Sequence, residues 1–159
     1  MNRQDMLNRV WDYYFVQDHG SAVSVSPHPT HPSVQCLYFN QADGCRCAIG
    51  CLLTPEQART LPFGGIAEIL NNNEDDPDVE HAAQDLVKWL DIDLGEDEDL
   101  SFLEELQGCH DNSATRHTED HRGLVRTDKA EFHRGLRTNL SELAMNYGLT
   151  LPISPEVTQ

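Results

Sequence analysis

Apolar residues recur at three- and four-residue spacing in four stretches of this chain, and each stretch predicts a helix with one face on a core. In the first, Met6, Leu7, Val10, Trp11, Tyr14 and Phe15 form a stripe between Arg3 and Asp18, with Gly20 as a stop. In the second, Asp76-Pro77 opens a helix whose apolar face is Val79, Ala82, Ala83, Leu86, Trp89 and Leu90; proline suits the first helical position because its missing N–H has no partner there anyway. Four consecutive carboxylates, Glu96 to Asp99, stand at the start of the third, with Leu100, Leu103 and Leu106 facing inward. The positive end of the helix dipole favours such charges. The fourth is fully punctuated: Asp128 caps it, Glu131 follows three residues on, Phe132, Leu136, Leu140, Leu143 and Tyr147 make the stripe, and Gly148 ends it with Leu149 closing the cap. A shorter helix starts at Thr54-Pro55-Glu56-Gln57, which has the letters of a capping box.

Two runs rich in strand-forming residues, Val34 to Phe39 and Cys45 to Ile49, flank the turn-like Asn40 to Gly44 and predict a β-hairpin. Ser26 to Ser33 contains three prolines and predicts an extended loop with His28 and His31 in solvent. Leu61 to Gly65 and Asn71 to Asp75 read as breaks, and Cys109 to Thr127, polar and without a usable period, reads as a long mobile loop. The sum is a mainly helical α+β fold, with about four to six helices packed around one short β-hairpin. A length of 159 residues suits one domain. It is placed at residues 1–150, with 151–159 as a flexible tail.

Charge sharpens this picture. The formal net charge is −16 at pH 7, which disfavours direct contact with nucleic-acid phosphates or anionic lipid and favours a basic protein partner. The charge is also uneven. Residues 74–105 hold fourteen acidic side chains against Lys88 alone, whereas Arg116, Arg122, Arg126, Lys129, Arg134 and Arg137 cluster later. The basic segment can pair internally with the acidic helices or dock those of a second copy, which makes a homodimer one option. No apolar run approaches the ~20 residues of a membrane span and no export signal is visible, so the expected location is the cytoplasm. Five cysteines, an odd number in a chain without such a signal, argue for reduced thiols or metal ligands over a disulfide framework.

The cysteines are the most specific chemical feature. Cys36, Cys45-Arg46-Cys47 and Cys51 lie on or just after the predicted hairpin, and Cys109-His110-Asp111 comes much later. Strand alternation puts Cys45 and Cys47 on one face with Cys36 opposite, and thiolate and imidazole ligands suit zinc. Against this, only Cys47 and Cys51 have the short spacing of a zinc knuckle, and buried free cysteines commonly serve as small hydrophobes. A thiol enzyme needs an activated cysteine, with Cys51 near the helix start at Thr54 and His110 as base. His110-Asp111 is also the letter pair of metal-dependent phosphohydrolases, for which His81 and Asp128 are the nominated partners. His117 and His121 share a face only if that segment is helical.

Cys36-Leu37-Tyr38, Gly44 to Leu53 and Leu103 to Asp111 resemble small uncharacterised proteins of tailed bacteriophages and prophages, with the pattern C-x-Y, then C-A-I-G-C-L, then L-Q-x-x-H-D and a closing amphipathic helix. The chain departs from that pattern at Leu53-Thr54-Pro55 and in its Pro/His loop. The resemblance implies a phage-associated, intracellular origin and contact among Cys36, Cys47, Cys51 and His110; it implies no activity.

The leading functional expectation is a non-enzymatic interaction protein without catalytic residues, which binds and inhibits a basic or nucleic-acid-binding host or viral protein. Its surface would be Glu74, Asp75, Asp76, Asp78, Glu80, Asp91, Asp93, Glu96, Asp97, Glu98, Asp99, Glu104 and Glu105, imitating phosphate spacing. Two alternatives stand beside it. One is a zinc-binding domain with Cys36, Cys47, Cys51 and His110 as ligands, the only cofactor expected; the other is a small thiol- or metal-dependent hydrolase.

Overall fold

A computed structural model describes residues 1–26, 33–62, 64–71, 76–93, 95 and 97–152. Their helices are α1 (Arg3–Trp11), α2 (Pro55–Thr60), α3 (Ile66–Asn71), α4 (Pro77–Leu90), α5 (Asp97–Ala114) and α6 (Lys129–Asn146). Two separate antiparallel pairs accompany them, β1 (Val23–Ser26) with β2 (Ser33–Cys36) and β3 (Thr115–His117) with β4 (Leu124–Arg126). The fold is mainly helical α+β, as the periodicity predicts. No helix among the described residues is long and apolar enough to cross a membrane.

Local chemistry sets the helix ends. The Asn2 side chain accepts the Asp5 N–H at the start of α1, and the Asp76 and Asp128 side chains accept from Asp78 and Glu131 at the starts of α4 and α6. Thr54 and Gln57 form a reciprocal capping box on α2. At the end of α6, Gly148 takes φ 63°, and the Leu149 and Gly148 amides donate to Ala144 and Met145. This left-handed cap consumes carbonyls the helix would otherwise leave unpaired. The first helix runs on into a π-helical turn, Asp12–Val16. That turn keeps Tyr13 and Tyr14 buried before the chain reverses at Asp18, φ 59°.

Two expectations are corrected here. The strand ladder joins β1 to β2, pairing Val23 with Cys36 and Val25 with Val34; Cys45 to Ile49 is not a strand. The turn over Asn40 to Gly44 does form, with Asn40 N–H donating to Cys45 and Cys47 N–H to Leu37. The chain then leaves for a tight 3-10 turn, Gly50–Leu52, because Ala48, Ile49 and Leu52 are drawn into the core. Nor is Cys109 to Thr127 one loop. Its first third completes α5, and the rest is the β3–β4 hairpin, Thr115 opposite Arg126. The Pro/His loop between the strands lies outside the described residues, as do residues 153–159 of the expected 151–159 tail, whose Leu151 packs against the core.

The core is continuous. α5 packs on α6 and α3, α3 on α4, and β1 contacts β4. Tyr14, Phe102, Phe132, Leu103, Leu106, Leu86, Ile66 and Ile69 are nearly or fully inaccessible. Tyr14 meets Phe132 edge-on at 5.3 Å and donates its hydroxyl to the Arg46 carbonyl at 2.7 Å. That pairing satisfies a polar atom burial would otherwise penalise.

Gly50 sits against the backbone of Tyr38, where an added Cβ would lie 2.0 Å from the Tyr38 carbonyl oxygen. Gly50→Ala is therefore expected to cost at least about 3 kcal/mol. Gly44→Ala, at φ 74° in open space, should cost only about 1 kcal/mol. Urea midpoints of the two variants check the order.

Candidate functional site

Three polar residues of α5 lie on its buried face. Gln107, His110 and Ser113 recur at three-residue spacing and are almost wholly inaccessible. Each reaches a different part of the chain. The Gln107 carboxamide oxygen accepts the Ile66 N–H at 2.8 Å, His110 Nε2 accepts the Ala22 N–H at 3.1 Å, and Ser113 Oγ takes a bond from Asn139 Nδ2 at 2.9 Å. The other His110 nitrogen, Nδ1, lies 2.7 Å from Asp111 Oδ1. Because Nε2 accepts, the ring proton belongs on Nδ1, donated to that carboxylate.

Cys36, at the end of β2, completes a group. One donor atom from each of Cys36, His110 and Asp111 lies within 4.8 Å of the others. Cys36 and His110 are buried, whereas Asp111 is partly exposed. A cleft of about 410 Å³ opens onto them, lined by Val34, Gln35, Cys36, Gly64, Gly65, Glu68 and Asp111. Tyr38 lies behind, donating its hydroxyl to the Gly64 carbonyl at 2.9 Å. Contact with the Cys47 thiol, and then burial, hold the Cys36 thiol well above its ordinary range, and burial raises the Tyr38 phenol. Gln107 Nε2 is buried with no hydrogen-bond partner.

Of the four sequence-nominated ligands, Cys36 and His110 come together. Cys47 stands beside Cys36 but receives the Gly50 N–H at its sulfur, and Cys51 donates its thiol to the Ala48 carbonyl. Neither joins a group of metal-ligating donors among the described residues. Cys51 and His110 share no hydrogen bond, so no base meets that thiol, and burial raises its pKa. Cys45 is partly exposed and Cys47 is buried, and since residues 45–47 are not a strand the alternation expected of them does not apply. His81, bonded to the Pro77 carbonyl, and Asp128, capping α6, stand apart from His110-Asp111. His117 and His121 approach to 6.5 Å between ring centres, exposed, across the β3–β4 turn rather than along a helix. Asp111 enters the sequence reading only as half of the His110-Asp111 pair and not as a zinc ligand, and Gln107 and Tyr38 are not among its candidate site residues. The signal for them was the pattern C-x-Y and L-Q-x-x-H-D, whose letters they are.

The acidic surface divides in two. On α5, Glu98 and Asp99 receive the Arg3 guanidinium, each at 2.9 Å, and Glu105 accepts the Tyr147 hydroxyl. On α4 and the turn after it, Asp76, Asp78, Glu80, Asp85 and Asp93 are exposed and take part in no ion pair among the described residues. Asp91 is exposed and lies 3.5 Å from the Met1 amino group. Glu104 is exposed; Glu74, Asp75, Glu96 and the Asp97 side chain lie outside the described residues. The basic segment pairs elsewhere: Arg116 with Glu131, Arg126 with Asp43 and the Ser21 carbonyl, Lys129 with Asp18.

No family model, curated protein or solved structure matches the chain.

Two outcomes test this geometry. In the native protein an alkylating reagent should label Cys45 first, with Cys36, Cys47 and Cys109 reacting only on unfolding, because burial withholds them and pushes Cys109 up to about 12. Peptide mass spectrometry reads the order. His110→Leu strands the buried Ala22 N–H and should lower stability by about 2–3 kcal/mol, seen in urea unfolding.

Proposed function

We propose that the chain is an acidic, phage-associated, intracellular interaction protein that binds and inhibits a basic or nucleic-acid-binding protein of host or virus. The observation that carries this reading is the α4 face, where Asp76, Asp78, Glu80, Asp85 and Asp93 stand exposed and without ion pairs beside one cation, Lys88. The buried face of the same helix, Ala82, Ala83, Leu86 and Leu90, anchors it to the core. The carboxylates are therefore carried on a fixed backbone, with little ordering left for a partner to impose.

Individual surface ion pairs contribute only about 0–1 kcal/mol, so binding of this kind needs several acting together. Their fields overlap within the screening length of about 8–10 Å, which raises association rates with a basic groove and makes affinity fall with salt. A groove built for phosphates is the natural counterpart, since fixed negative charge is what it selects. The resemblance to tailed-phage proteins supplies the setting, a bacterial cytoplasm rich in such grooves.

The test uses the full chain immobilised against bacterial proteins pre-selected on a polyanion column. Retention should fall between about 50 and 200 mM salt. It should weaken at least tenfold when Asp78→Asn, Glu80→Gln, Asp85→Asn and Asp93→Asn are combined, with helix content unchanged by circular dichroism. Retention that ignores both salt and the four substitutions rules the α4 face out as the binding surface.

A further inference from the structure

The donors around Cys36 suit a different chemical state from a free thiol. The Cys47 thiol stands beside its sulfur, and on α5, one turn before His110, Gln107 Nε2 is left without a partner although its side chain is more than nine-tenths buried. The amide cannot swing away, because its oxygen is held by the Ile66 N–H at 2.8 Å. A thiol offers that N–H little, whereas a thiolate is a good acceptor. Yet a bare thiolate in an apolar site is costly without a cation close by. Among the described residues no lysine or arginine lies on the cleft at Cys36; what stands there is an imidazole and a carboxylate.

We propose that Cys36 Sγ, His110 Nδ1 and Asp111 form a zinc site, with three protein ligands and a fourth position open to the cleft beside Glu68. Thiolate, imidazole and carboxylate are each donors zinc accepts, and three protein ligands with one exchangeable position is an established coordination number for it. The ligand set differs from one built only of Cys36, Cys47, Cys51 and His110. Here Cys47 is a neighbour of the ligating sulfur rather than a ligand, the supporting role that tunes metal sites.

Proton balance follows from the hydrogen bonds. Zinc entering between Nδ1 and Asp111 displaces the Nδ1 proton, which moves to Nε2, and the Cys36 thiol releases its proton to solvent. One proton leaves per metal bound. Nε2–H then faces the Ala22 N–H, donor against donor, so the Ala22 amide loses its acceptor. The segment leading into β1 is thus coupled to the metal, and an ion held only by surface carboxylates or by His117 and His121 would not produce this.

The experiment is titration of the full, chelator-treated chain with cobalt(II) and zinc, followed optically and by amide exchange. One equivalent of cobalt per chain should give a thiolate-to-cobalt charge-transfer band that zinc abolishes. Exchange at the Ala22 amide should accelerate at least tenfold on zinc binding. Cys36→Ser should remove the band, and Asp111→Asn, at a partly exposed position, should weaken cobalt binding at least tenfold while leaving the circular dichroism unchanged. The double variant His117→Ala, His121→Ala should bind as the parent does. No band in the folded chain, a band that survives Cys36→Ser, or an Ala22 amide indifferent to zinc overturns the site.

Discussion

His110 is the tie on which the arrangement of the chain depends. Its ring is sealed from solvent, donates to Asp111 and accepts from Ala22, so α5 is fastened to the segment that begins the first hairpin. Gln107 and Ser113, three residues to either side, fasten the same helix to the start of α3 and to α6. A buried polar row of this kind carries risk, because each member left unpaired costs more than an apolar side chain would. Its return is register. An apolar face on α5 could slide or rotate against three neighbours, whereas amide, imidazole and hydroxyl groups accept only one alignment.

That row also explains which parts of the fold were legible in the sequence. The capped, amphipathic helices α1, α4 and α6 follow from apolar spacing and from Asp76, Asp128 and Gly148, because local chemistry and burial agree there. The last third of α5, from Cys109 to Ala114, reads as loop in the sequence. A hydrophobic period counts Gln107, His110 and Ser113 as exposed, when their burial depends on partners 41, 88 and 26 residues away. The strand pairing was misplaced for a related reason. Val34 to Cys36 is a strand as expected, but Val23 to Ser26 competes successfully for its edge, while the demand for burial of Ala48, Ile49 and Leu52 bends the other candidate away. Cys36 and His110 follow from residue type together with the family resemblance. The place of Gln107 beside them depends on the helix, since i, i+3 and i+4 geometry puts Gln107, His110 and Asp111 on one side.

The charges follow a division of labour that composition conceals. Most cations with ion partners close the structure on itself: Arg3 joins α1 to α5, Lys129 joins α6 to the reversal at Asp18, and Arg126 joins β4 to Asp43 and Ser21. Arg137 lies over the rings of Trp11 and Phe15, adding a cation–π contact between α6 and α1. Arg3, Arg126, Lys129 and Arg137 thus work as internal fasteners. Much of the negative charge left over stands on α4, which none of these fasteners touches.

The Ala22 amide and the Ser21 carbonyl have their partners at His110 and Arg126, 88 and 105 residues further along the chain. As the polypeptide leaves the ribosome, the segment before β1 waits for groups that have not yet been made. The amino-terminal half therefore has no finished fold to adopt on its own, and β1–β2 can settle only after α5 and β4 have emerged. Synthesis order and assembly order run in opposite directions: the first strand pair made is among the last to be locked, and its exposed edge must be kept from other chains in the interval.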